Sequence, residues 1–171
     1  MSEEKNTEDL LYIETKISTK DMFEFMMNHT YKSFMGAIGF FLCAMATVGL
    51  IFYWDAFNVT YKGLLIVMLA FFILINPVQL YLRSKTQVAK AFKNNLCYTF
   101  TDEGIDIVQG DQSAKVNWAD IKKVRSTRNL VIIYLSPIRA FIFPKNQIGE
   151  NMQLFRKIVT AKAGCRKVVI K

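Results

Sequence analysis

Residues Phe34 to Trp54 read FMGAIGFFLCAMATVGLIFYW, and residues Leu64 to Leu82 read LLIVMLAFFILINPVQLYL. Neither stretch holds a charged side chain. At a rise of ~1.5 Å per residue, about 20 helical residues extend ~30 Å, the thickness of a bilayer's hydrocarbon core. Both runs are too long and too apolar for an ordinary core helix, so they predict two transmembrane helices. Tyr53 and Trp54 end the first, Tyr61 precedes the second and Tyr81 closes it. Such aromatic rings suit the lipid–water interface.

Only Asp55 to Gly63 separate the two runs. So short a link forces an antiparallel hairpin with both termini on one side. The link carries Asp55 and Lys62, whereas Lys32 precedes the hairpin and Arg83, Lys85, Lys90 and Lys93 follow it. The positive-inside rule then places both termini in the cytoplasm and makes the chain a multi-pass protein of the cell membrane. Asn58-Val59-Thr60 matches the glycosylation sequon, a tripeptide common by chance and here set almost on the membrane. The segment ahead of the hairpin begins acidic and polar, unlike a secretory signal, so the first apolar run is expected to stay in the mature protein.

Within the first span Gly36, Gly39, Cys43 and Ala46 recur at helical spacing and form a stripe of small side chains. Small residues let helices approach closely in lipid, so this stripe is expected to face the second span or another subunit, as in an oligomer. In the second span Asn76, Pro77 and Gln79 cluster, and Pro77 removes a backbone donor and should kink the helix. The absence of ionised side chains from both spans argues against a proton relay or an ion pathway.

Outward from the hairpin, Leu11 to Ile17 reads as a strand. Ser18 or Thr19 can cap a helix starting near Lys20, with Asp21 in its first turn. His29 reads as a solvated interfacial residue. Beyond the second span, Arg83 to Asn95 is polar and basic and looks like the same helix leaving the membrane beside anionic head groups.

The period then changes. Leu96–Thr101, Ile105–Gln109 and Ala114–Trp118 read as strands separated by the turns Asp102-Glu103-Gly104 and Gly110 to Ser113. Asp120 to Val124 reads as a short helical turn. Asn129 to Leu135 is apolar on both faces and reads as a central strand, and Ala140–Phe143 as one stopped by Pro144. In the last helix Ile148, Met152, Phe155 and Val159 share a stripe, with Gly164 as a natural C-cap. Val168 to Ile170 is expected to pair weakly or stay loose. Strands followed by one covering helix make an α+β domain. The chain thus divides into a cytoplasmic strand and helix (1–33), the hairpin (34–82, spans 34–54 and 64–82) and a cytoplasmic domain (83–171). The strand before the hairpin is suited to join the sheet after it.

Composition agrees with this division. The chain has 171 residues, 52% of them apolar, and the apolar excess sits between Phe34 and Leu82. Residues 1–82 hold 5 Lys and Arg against 8 Asp and Glu, while residues 83–171 hold 17 against 6. A net +11 on the second part points to an anionic partner or to a solvated basic surface on the cytoplasmic side. Cys43, Cys97 and Cys165 are widely spaced and odd in number, neither a disulfide framework nor a zinc spacing. Reduced thiols are expected.

The segments "YTFTDEGIDI", "VNWADIKKV", "NLVIIYL" and "AFIFPK" resemble the YcxB-like family of bacterial membrane proteins, over roughly Leu11 to Lys162. Trp118-Ala-Asp-Ile121 and Phe143-Pro144-Lys145 carry the most specific part. The resemblance implies a cytoplasmic domain similar to pleckstrin-homology folds, a bent antiparallel sheet closed by a C-terminal helix. It also implies a bacterial cell membrane. In that frame Trp118 fills the core, Asp120 caps the turn that follows it, and Pro144 ends an edge strand. These motifs are structural, so the resemblance carries fold and not function.

An enzyme is not expected. The chain has one histidine, no Gly-rich phosphate loop and no cluster at metal-ligand spacing, and Asp102, Glu103 and Asp106 sit at a hairpin turn where acids are ordinary. No cofactor or metal is implied. Nucleic-acid binding fits the charge but neither the topology nor a known module. The first functional reading is a membrane-tethered interaction module. Its densest basic group is Lys122, Lys123, Arg125 and Arg128, placed in a connection between strands, with Arg139 and Lys145 nearby. This group would bind anionic lipid head groups or an acidic protein segment, or simply orient the domain on the bilayer. The second reading is a structural or protective partner of immunity or stress type, acting through the stripe Gly36, Gly39, Cys43 and Ala46.

Overall fold

The computed structural model describes residues 9–92, 94–137, 139–163 and 168–170. Lys93, Gly164 with its expected capping role, and Cys165 lie outside the described residues. In chain order the elements are β1 (Asp9–Thr15), α1 (Thr19–Tyr31), α2 (Phe34–Phe52), α3 (Val59–Ala70) and α4 (Asn76–Ala91). They continue as β2 (Leu96–Thr101), β3 (Gly104–Gln109), β4 (Gln112–Asn117), β5 (Lys123–Ser126), β6 (Leu130–Tyr134) and β7 (Ala140–Pro144). The chain closes with α5 (Lys145–Ile148), α6 (Met152–Lys162) and β8 (Val168–Val169). These elements fall into two compact units. One joins the chain up to Asp21 with the chain from Val88 onward; the other is Met22–Gln87.

The first unit is built on two four-stranded sheets, ordered β1-β2-β3-β4 and β7-β6-β5-β8. β1 pairs antiparallel with β2, Ile13 opposite Tyr98, so the whole of residues 22–87 is inserted between two hydrogen-bonded strands. Gln147 of α5 clamps the end of β1. Its side chain accepts from Lys16 N at 2.7 Å and donates to Lys16 O at 2.9 Å, replacing a missing strand neighbour. At the start of α1, Ser18 Oγ accepts from Asp21 N and Asp21 Oδ2 accepts from Ser18 N, a reciprocal cap that satisfies two helix-end donors.

The turns follow the sequence pattern. Thr101 Oγ1 accepts from Gly104 N and donates to Gly104 O, which closes the β2–β3 turn. β4 begins at Gln112, two residues earlier than its alternation suggested, because Gly110 at φ 58 makes the turn tight enough for Gln109 to pair with Gln112. Gly149 at φ 56 breaks the final helix and separates α5 from α6.

The core lies between the two sheets under α6. Phe100, Phe143 and Phe155 are fully buried, with ring centroids 5.3–5.9 Å apart. Such aromatic pairs add to the burial of their area. Trp118 closes one end of this core and donates from Nε1 to Thr101 O at 2.9 Å. Tyr98 is buried against Phe143, and burial pushes its phenol well above the ordinary tyrosine range, opposed in part by a hydrogen bond with Thr15. β6 is buried on both faces from Leu130 to Ile133, as its unbroken apolar run predicts for a central strand.

Two local expectations are corrected here. Asp120 to Val124 is not a helical turn. The turn is Trp118–Asp120, closed by Ile121 N donating to Trp118 O, and Asp120 makes no capping bond. The next residues form β5, because fully buried Val124 pairs with Ile133 while Lys123 and Arg125 alternate outward. Val168 and Val169 pair parallel with Val124 and Arg125 and so cover the outer edge of β5.

The second unit is helical. Ser33 Oγ caps α2 by accepting from Gly36 N, and Asn58 Oδ1 caps α3 by accepting from Tyr61 N. Because of that second cap the helix starts at Val59, ahead of the apolar run, and it continues to Ala91. Trp54 lies outside α2, in a short turn to Ala56, where Lys62 Nζ stands 4.4 Å from its ring centroid. Both Phe34–Phe52 and Val59–Ala91 are long and apolar enough to cross a membrane.

Between α3 and α4 the helix widens into a π turn over Phe71–Ile75. The cause is Pro77, which offers no N–H and crowds the preceding turn. Asn76 N therefore bonds Phe71 O, and Phe72 O is left without its usual helical donor. Tyr31 Oη supplies one at 2.9 Å, and the Tyr31 ring meets the Phe72 ring edge-on at 5.1 Å.

Candidate functional site

Lys123 and Arg125 lie on a strand rather than in a connection, whereas Lys122 and Arg128 stay in the connections on either side of it, and this changes the group's geometry. Successive outward positions on β5 put Lys123 and Arg125 on one face about 7 Å apart. Lys122 precedes the strand and donates from its backbone N to Tyr134 O at 2.9 Å. Arg128 falls in the β5–β6 turn, where Thr127 N and Thr127 Oγ1 hold the backbone of Leu130.

Cross-strand register sorts the remaining cations. Lys123, Tyr134 and Ala140 form one row across β5, β6 and β7, so Arg139 belongs to the same end of the sheet as Lys122 and Lys123. Lys145 Nζ donates to Thr127 O at 2.8 Å, which places it with Arg128 at the other end. Arg125 sits midway. The group is therefore a strip along β5 with two ends.

In this unit Lys115 pairs with Glu103 at 2.9 Å and Lys162 with Asp102 at 2.6 Å. Both pairs lie away from β5. Glu103 holds the Lys115 ammonium above the ordinary lysine range. Lys122, Arg125 and Arg128 have no carboxylate partner among the described residues. Burial raises the Tyr134 phenol, and the Arg125 guanidinium acts against that shift. Lys122, Arg125 and Arg128 are thus available to an external anion.

Residues 100–159 match the protein family described as YcxB-like protein. The resemblance to the YcxB-like family holds there. The YcxB-like segment runs from Phe100 in β2 to Val159 in α6 and contains the whole basic strip. It includes neither β1 nor the helical unit, so it is narrower than the stretch that carries the sequence resemblance. Comparison with curated proteins and with solved structures found no match.

Outside the YcxB-like segment, the stripe of small residues on α2 separates into individual roles. A side chain at Gly36 would collide with the carbonyl oxygens of Thr30 and Tyr31, so this glycine lets α2 start directly after α1. A side chain at Gly39 would enter the Phe72 ring, so α2 and the second long helix meet there. Ala46 is buried, and Cys43 is half-buried. The hydrogen bond from Tyr31 to the Phe72 carbonyl joins residues 41 positions apart, and no local pattern announces it.

Proposed function

We propose that this chain is an integral membrane protein whose hairpin crosses the bilayer twice, with both termini and the YcxB-like segment in the cytoplasm. The sheet unit, read as a pleckstrin-homology-like fold closed by α6, acts as a membrane-tethered interaction module. It binds anionic groups, on lipid heads or on a protein segment, through the strip Lys122, Lys123, Arg125 and Arg128. No catalytic step, cofactor or metal enters this reading.

One observation carries it: Lys122, Arg125 and Arg128 lie on or beside β5 with no carboxylate partner among the described residues, while Asp102 and Glu103 pair with cations of other elements. The hairpin supports the location. Phe34, Phe40, Ile51, Leu64 and Val67 are all more than 60% exposed, an apolar surface far larger than a soluble monomer tolerates. The protective-partner reading draws less support, because Gly36 and Gly39 already pack against the chain's own atoms.

The test uses full-length protein in zwitterionic nanodiscs and vesicles containing phosphatidylglycerol. Each cation near an anionic surface contributes ~1 kcal/mol, so reversing three charges in K122E/K123E/R125E should weaken vesicle capture by at least about 100-fold. Unchanged capture refutes the strip.

A further inference from the structure

The sheet unit holds a cavity of about 260 Å³ that the basic strip does not explain. Its walls come from the inner face of the first sheet and from β7, the edge strand of the second. Tyr98, Ile107, Val116 and Phe141 make it apolar, and Gln109 and Arg139 are its polar lining. Two alanines leave it open. Ala114 stands opposite Ile107 on β4, and Ala140 stands opposite Tyr134 on β7. Ala114 is exposed and Ala140 half-buried, so the cavity opens to solvent there, and larger side chains would close it.

The lining specifies the ligand class. Arg139 is exposed, and its guanidinium has no partner among the described residues. Gln109 Nε2 donates to Ala91 O at 2.7 Å, which leaves its amide oxygen as an acceptor. An apolar cleft with one unpaired cation at its mouth matches an amphiphile with an anionic head. Size limits it to a single chain. The volume exceeds the ~150 Å³ of an apolar cavity that takes up benzene. It falls just below the ~300 Å³ at which drug-sized pockets begin. A two-chain lipid is too large.

We propose that this cavity binds one medium-length acyl or alkyl chain, with its carboxylate or phosphate head on Arg139. Arg139 lies at the Lys122–Lys123 end of the sheet, but the strip's test leaves Arg139 and the cavity lining unchanged, so each proposal can fail alone. The probe is a diazirine-bearing decanoate, photolysed with full-length protein in phosphatidylcholine nanodiscs and mapped by peptide mass spectrometry. Labelling is expected on Ile107–Val116 and Arg139–Ile142, displaced by decanoate or decyl phosphate according to which head the site prefers. Ala114→Trp, which fills the cleft, should remove that labelling. Arg139→Gln, an exposed change that leaves the core intact, should weaken displacement by the anionic competitors about tenfold, the loss expected for one charge-assisted hydrogen bond, while displacement by decanol is unchanged. Labelling confined to residues 34–82 overturns the proposal. So does equal anion displacement in wild type and Arg139→Gln.

Discussion

Phe40 and Phe143 are the same side chain in opposite surroundings: the first is 71% exposed on α2 and the second fully buried between the sheets. The two units differ in this way throughout. In the sheet unit, backbone groups pair across strands and aromatic rings are collected inside. In the helical unit the backbone pairs within each helix and the apolar side chains are turned outward. Under the proposed membrane location, each arrangement has its own solvent. Water drives Phe100, Phe143 and Phe155 together. A hydrocarbon solvent exerts no such force, and there the demand is that every polar backbone group find a partner. The units should therefore answer differently to mutation: the sheet unit to lost burial, the helical unit to lost close contact or a lost hydrogen bond.

The largest expected effect comes from β1. Deleting residues 1–17 removes buried Leu11, Ile13 and Ile17 from the sheet unit. At ~1.5–3 kcal/mol for each buried side chain the loss is roughly 5–9 kcal/mol, comparable with the whole stability of a domain. Hydrogen exchange at Leu96–Thr101 should become rapid, whereas exchange within Phe34–Phe52 in lipid should hold. Protected β2 amides after the deletion would show that β1 is an accessory strand.

That pairing was legible in the sequence only in outline. Tyr12, Thr15 and Ile17 announce a strand, but not a partner more than 80 residues away. β2, β3, β6 and β7 are plain because turn residues bound short runs of alternating or apolar character. β5 was hidden because Lys123 and Arg125 flank a single buried Val124, too short a pattern to outweigh its basic character. Its strand state is imposed by β6. The residues of the basic strip could thus be named from sequence, but not their division between two ends of a sheet. The cavity was not legible, since it arises from a gap between sheets where Ala114 and Ala140 happen to fall. Gly39 could be picked out as small, but its partner Phe72 lies on another helix.

A smaller effect sharpens the contrast in lipid. Gly39→Leu would force the new side chain into the Phe72 ring. Overpacking of this kind costs typically ~1–3 kcal/mol. Unfolding in mixed micelles should lower the stability of residues 22–87 by about that amount, with protection of Leu96–Thr101 unchanged. A neutral result would mean that the two long helices do not depend on this contact.

The smallest effect is the most specific. Tyr31→Phe keeps the ring on Phe72 but removes the hydroxyl that donates to the Phe72 carbonyl. Side-chain hydrogen bonds in membranes are worth ~0.6–2 kcal/mol, so the loss alone is modest and any packing defect could imitate it. Pro77 separates the two explanations. It is the reason Phe72 O lacks a helical donor, so Pro77→Ala returns an N–H to the turn and lets the carbonyl pair within its own helix. In that background Tyr31→Phe should cost almost nothing. A double-mutant cycle measured by unfolding in mixed micelles reads the difference directly as a coupling energy. A coupling close to the full single-mutant loss means that Tyr31 repairs the break Pro77 creates. Additive losses would mean that the ring contact, and not the hydrogen bond, holds α1 to the second long helix.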